Sequence, residues 1–156
     1  MAERAVPLRN RRVLVDSSAY LALLDRDDEH HSNAIAILQG LASGHFRQIT
    51  TNAMLIEAHV LILSVLGNAL ANQFLREMAK SNTSIIRVRA SDEQRATQIL
   101  FRYTDKDFSF NDAISFAVME WLGLSLAFTF DRHFSQYGLS VVSLELLSAE
   151  HLKFGR

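Results

Sequence analysis

No cysteine occurs among the 156 residues. That excludes thiolate metal clusters, dithiol redox motifs and cysteine nucleophiles, and nothing points to an oxidising compartment. No uncharged apolar stretch reaches the length needed to cross a membrane. The amino-terminal MAERAVPLRNRR is polar and basic and lacks the apolar core of a secretory signal. The expectation is a cytoplasmic protein with no membrane partner. An excess of one charge sign is also missing: 16 Lys and Arg against 17 Asp and Glu leave a formal net charge of -1. A general nucleic-acid coat is therefore excluded, and any contact with nucleic acid must be local or metal-assisted. There is no Gly-x4-Gly-Lys-Ser/Thr phosphate loop, which removes the common nucleoside triphosphatases. Internal repeats, low-complexity tracts and linkers are absent as well.

What is present reads as one domain over residues 12–156, long enough to bury a core without disulfides or a structural metal. Residues 1–11, which carry Arg4, Arg9 and Arg11, read as a basic arm: either a flexible segment that touches nucleic acid or a tail without a role. Apolar, β-branched runs at 13–15, 48–51, 84–88, 125–129 and 141–144 predict strands. Helical patterns at 18–24, 53–66, 69–80, 91–103 and 109–122 separate them, with a further one that ends at Gly44. In that helix Ala34, Ile35, Leu38 and Leu41 are spaced for one face. The helix at 53–66 is almost wholly apolar and is expected to be buried, while Ser91 to Gln94 has the form of a capping box. Alternating strands and helices imply an α/β fold, a three-layer sandwich with a mainly parallel central sheet flanked by helices. In such sheets ligands bind beyond the carboxyl ends of the strands, where the strand order reverses.

Four carboxylates fall near such ends: Asp16 in VLVDSSAYLALLD, Glu57 in TTNAMLIEAHVLI, Asp112 in DFSFNDAISFAVME and Asp131 in AFTFDRHF. Asp16 and Asp131 follow predicted strands, Asp112 opens a helix, and Glu57 lies one to two turns into another. Acids that cluster in space repel one another unless a cation joins them. Each also has a plain structural reading. Asp16 can cap the first helix, Asp112 can pair with Ser109 in a capping box, and Asp131 can be a turn residue neutralised by Arg132. Glu57 is harder to explain this way, because its helical neighbours Ala53, Met54, Val60 and Leu61 are apolar.

Taken together, the motifs resemble the PIN-domain family from about residue 13 to residue 144. Strand, Asp-Ser-Ser and apolar helix are similar to its first motif, Asn-Asp-Ala to its third and Phe-Thr-Phe-Asp-Arg-His-Phe to its fourth. Asp107 to Asp112 is similar to the form Asp-x-Ser-x-x-Asp found in many members. The resemblance maps Asp16, Glu57, Asp112 and Asp131 onto the family's catalytic, metal-binding acids. It also makes Ser17 and Thr129 polar neighbours that orient carboxylates or bound water. Asp107 is either a supporting acid or a solvated loop residue. Oxygen-only ligands suit Mg2+ or Mn2+, held to activate water against a phosphodiester. Arg102, Lys106 and Arg132 are candidates to grip the phosphate backbone, with surface charge as the plain alternative. His133 reads as a packing or hydrogen-bonding residue at the strand end, and His30 and His31 as solvated or capping groups.

Short, single-domain members with this pattern are VapC-type toxins, so the resemblance implies an endoribonuclease acting on RNA, a cognate antitoxin partner and a homodimer. Two alternatives stay open: a non-catalytic nucleic-acid-binding or scaffolding protein of the same fold, and another metal-dependent phosphodiesterase.

Overall fold

The computed structural model describes residues 10–148; Arg4, Arg9 and nearly all of the expected basic arm lie outside them. The chain alternates short strands with longer helices: β1 Arg12–Val15, α1 Ser17–Leu24, α2 His31–Ser43, β2 Arg47–Thr51, α3 Asn52–Leu66 and α4 Asn68–Lys80. There follow β3 Ser84–Ile86, α5 Ala90–Arg102, α6 Phe110–Leu122, β4 Leu126–Phe128, α7 His133–Tyr137 and β5 Ser140–Val141. The sheet has the order β3-β2-β1-β4-β5 and every pairing in it is parallel.

Side chains alternate across a strand, so a sheet covered on both sides needs apolar residues at consecutive positions. β1 supplies them. Val13 and Val15 pack with α1, α2, α3 and α4, and Leu14 packs with α5, α6 and α7; all three are buried. In β4, Phe128 faces the first cluster and Ala127 the second. The expected three-layer sandwich results. The strand order reverses at β1, with β2 and β3 on one side and β4 and β5 on the other. The crevice predicted for such a reversal therefore lies beyond Val15 and Phe128.

The structure revises several local expectations. Helix α3 is buried only along Met54, Ala58 and Ile62; Ile56 and Val60 are 66% and 58% exposed. An almost wholly apolar composition marks where a helix can be buried, not which side meets a neighbour. The inward face of α2 is Ala34, Ile37 and Leu41 rather than one through Ile35 and Leu38. Gly40 sits beside that face, where a Cβ would come within 2.7 Å of Leu147 Cδ1, so a larger residue there would have to displace the end of that leucine side chain. The capping box of α5 lies two residues before the expected one, because Asp92 reaches back to accept the Arg89 N–H at 2.8 Å. Burial opposes ionisation of Asp92. Bonds from Arg89 and from Trp121 Nε1, at 2.9 Å, outweigh that and hold its carboxyl below the ordinary range. The last strand is shorter than the pattern at 141–144 suggests, and α7 had no sequence-level counterpart.

Candidate active site

β1 ends at Val15, and the next residue caps the next helix. Asp16 Oδ2 accepts hydrogen bonds from Ser18 N at 3.4 Å, Ser18 Oγ at 2.6 Å and Thr129 Oγ1 at 2.9 Å. The Thr129 hydroxyl, just past β4, also accepts the Asp131 N–H at 2.9 Å, and Ser18 Oγ accepts the Phe130 N–H at 3.0 Å. Two hydroxyls thus tie the end of β1 to the end of β4. Asp16 is 3% exposed, and burial raises its pKa above the ordinary 3.8. The bonds from Ser18 and Thr129 oppose that rise, and the charge of Glu57 adds to it. Glu57 reaches the same region from α3, where Oε2 accepts from Ser17 Oγ at 2.8 Å. Beneath them Met54 Sδ accepts from Ser17 N at 3.2 Å and Asn111 Nδ2 at 3.9 Å, so the sulfur joins α1, α3 and α6.

Asp112 arrives on the first turn of α6. The reciprocal box with Ser109 forms: Asp112 N donates to Ser109 Oγ at 3.0 Å, and Ser109 N donates to Asp112 Oδ2 at 2.9 Å. The same Oδ2 lies 2.8 Å from His133 Nδ1. A carboxylate can only accept, so Nδ1 carries the proton. Asp131 caps α7 by accepting the His133 N–H at Oδ1, 2.9 Å away, and that oxygen is 3.4 Å from His133 Nδ1. Potential ligand atoms of Asp112, Asp131 and His133 all lie within 4.8 Å of one another. Asp16, Asp112 and Asp131 therefore keep their capping roles; bonds through Ser18 and Thr129 link Asp16 to the Asp131 loop and Ser17 holds Glu57, while of the four acids Asp112 and Asp131 are the two with ligand atoms inside the 4.8 Å group.

Among the described residues, the side-chain bonds of Asp16 and Asp112 fall on Oδ2, those of Asp131 on Oδ1 and that of Glu57 on Oε2. Among the described residues, each acid keeps one oxygen outside these bonds, and no Lys or Arg forms an ion pair with any of the four. The described Lys and Arg ion pairs go elsewhere: Arg89 to Asp92, Arg95 to Glu120 and Lys106 to Asp105. Such a set of acids with a free oxygen on each fits a hard divalent cation.

The other candidates divide. Ser17 and Thr129 bond directly to acids of the cluster. Asp107 and Arg132 are exposed, and Arg102 is exposed at the last residue of α5; none of the three bonds to the four acids. Arg132 makes no ion pair with Asp131. His31 Nδ1 lies 2.7 Å from Ala22 O near the end of α1, and His30 stacks on Phe130 at 4.4 Å. Sequence reasoning passed over Ser18 and put His133 outside the cluster. The signals available were the second serine of Asp-Ser-Ser and the position of His133 two residues after an acid, where a short helix turns its ring back toward Asp131.

The sequence matches the PIN domain over residues 13–139. The chain belongs to the PIN-domain family. It is 31% identical over 133 residues to the 23S rRNA-specific endonuclease VapC20 of Mycobacterium tuberculosis, covering 85% of this chain and 99% of that protein. A VapC ribonuclease of Archaeoglobus fulgidus is 31% identical over 125 residues, 78% of each chain. The crystal structure of the mycobacterial VapC20, described as a Sarcin-Ricin loop cleaving toxin, superposes with a TM-score of 0.78 at 30% identity. That superposition covers 84% of this PIN domain's chain and 98% of the other.

Proposed function

We propose that this PIN protein is a VapC-type endoribonuclease, dependent on Mg2+ or Mn2+ and acting as the toxin of a type II toxin-antitoxin pair in the cytoplasm. The observation that carries the reading is the linked set of Asp16, Glu57, Asp112 and Asp131, with, among the described residues, one oxygen outside the side-chain bonds on each and no Lys or Arg paired to them. The kinship with named VapC nucleases supports the reaction class. The four acids would hold the cation through their free oxygens. When bound, it would supply Lewis-acid stabilisation and a more acidic water. The protein's share is positional: Ser18 and Thr129 fix Asp16, Ser17 fixes Glu57, and Ser109 with His133 fixes Asp112. Arg102, Lys106 and Arg132 are the basic side chains proposed to take the RNA backbone.

The test is cleavage of a mixed pool of structured RNAs by metal-stripped protein, with and without Mg2+ or Mn2+. Cutting that requires added metal and stops with EDTA is expected; cutting of equal rate in EDTA would overturn the metal dependence.

The partners proposed are RNA, a cognate antitoxin and a second copy of the chain. Among the described residues, no helix is long and apolar enough to cross a membrane. Ile56, Val60 and Leu63 form an exposed stripe at helical spacing on α3, beside Glu57, and supply an apolar seam for the second copy. Light scattering should give the mass of two chains for wild type and of one for Val60→Glu. A monomeric wild type at micromolar concentration would remove the seam.

A further inference from the structure

We infer that His133 is a positioning residue that sets the spacing and orientation of Asp112 and Asp131, and through them the affinity of the acid cluster for a divalent cation. The inference rests on the metal-dependent reading above. Asp112 comes from the start of α6 and Asp131 from the loop after β4. Two carboxylates from separate elements, with ligand atoms inside a 4.8 Å group, repel unless something polarised lies between them. Among the described residues no Lys or Arg does so. The one group that touches both is the His133 ring, with Nδ1 at 2.8 Å from Asp112 Oδ2 and 3.4 Å from Asp131 Oδ1.

The ring is held on several sides. The backbone N–H of His133 donates to Asp131 Oδ1 at 2.9 Å, and the ring packs against Phe108 at 5.6 Å between centroids. The next residue, Phe134, is fully buried, and Tyr137 at the end of α7 stacks on Phe116 at 4.4 Å. A short helix pinned by two aromatic residues thus presents one N–H to two acids and, among the described residues, leaves Asp112 Oδ1 and Asp131 Oδ2 outside the side-chain bonds. With its proton on Nδ1, the ring atom nearest the acids has no lone pair to offer a cation, so its role is to orient the acids and not to bind the ion.

The test uses full-length, metal-stripped protein with Mn2+ as the probe and no RNA, comparing wild type with His133→Ala, His133→Phe and His133→Asn. Phenylalanine keeps the edge contact on Phe108 without the N–H, and asparagine keeps a donor near the place of Nδ1. Calorimetric Kd for Mn2+ should rise about 10–100-fold in the Ala and Phe variants and return most of the way in Asn. In cleavage assays the Mn2+ concentration for half-maximal rate should move with it, while kcat at saturating Mn2+ is retained. Unchanged Kd in folded Ala and Phe variants overturns the inference and leaves the nuclease reading intact. A 14N coupling to bound Mn2+ in wild-type spin-echo spectra that vanishes in His133→Phe overturns it too, by making the imidazole a ligand. A wild type that neither binds Mn2+ nor cuts RNA removes the metal reading and the inference together.

Discussion

Asp16→Asn is expected to lose more than about 100-fold in RNA cleavage, since groups that merely hold a metal ligand are already worth about 10–100-fold. The same substitution is expected to make the metal-free protein more stable. Asp16 is buried, faces the charge of Glu57 and has no Lys or Arg partner among the described residues. Burial raises its folded pKa above 3.8, so the native state holds the proton more tightly than the unfolded chain does. Stability is consequently lost as pH rises from 3.8 through the folded value. Asparagine has nearly the same shape and no charge, so it removes that penalty. A gain of about 1 kcal/mol is in the range found when a functional strain is relieved, and would raise Tm by about 2–4 °C. The gain should shrink toward acid pH, where wild-type Asp16 is protonated as well. Added Mn2+ should raise the wild-type Tm and leave the variant where it is. Calorimetry at pH 4 and pH 7 reads all of this; a variant less stable than wild type at pH 7 would mean that the bonds from Ser18 and Thr129 already compensate the burial.

How far the sequence carried this depends on the scale of the feature. Consecutive apolar residues in β1 require a sheet covered on both sides, and Val13 and Val15 against Leu14 bear that out. Aspartates at strand ends were visible because chain direction in a parallel sheet places them at one edge. What could not be read was rotational. The composition of α3 is apolar all round, so nothing local said that Met54, Ala58 and Ile62 would turn inward and Val60 outward. Nor could the burial of Asp92 be placed: its bond from Trp121 Nε1 joins α5 to α6, helices that become neighbours only in the fold. The same limit hid His133. Its link to Asp112 spans 21 positions and exists because α7 forms after β4, an element of five residues too short to show a period.

That short helix makes Phe116 the core residue whose loss should reach the site. Phe116 is fully buried on α6, stacks on Tyr137 at 4.4 Å and meets Phe134 and Phe108 edge-on at 5.2 and 5.1 Å. Tyr137 in turn donates to Glu120, and burial together with that bond pushes its phenol up to about 12. Phe116→Ala should cost about 3–5 kcal/mol, a large part of the ~5–15 kcal/mol that keeps a domain folded, and lower Tm by roughly 6–20 °C. A second variant separates general loss of stability from loss of the site. Leu41→Ala opens a cavity of about 2–5 kcal/mol on the other side of the sheet, where Leu41 is fully buried on α2 in the opposite cluster. At a temperature where both variants are folded, Mn2+ affinity should fall in Phe116→Ala, because Tyr137 and Phe134 no longer fix α7 and the His133 ring drifts from Asp112. In Leu41→Ala it should stay at the wild-type value. Equal affinities in the two variants would show that α7 keeps its place without Phe116, and that the acids are ordered by their capping bonds alone.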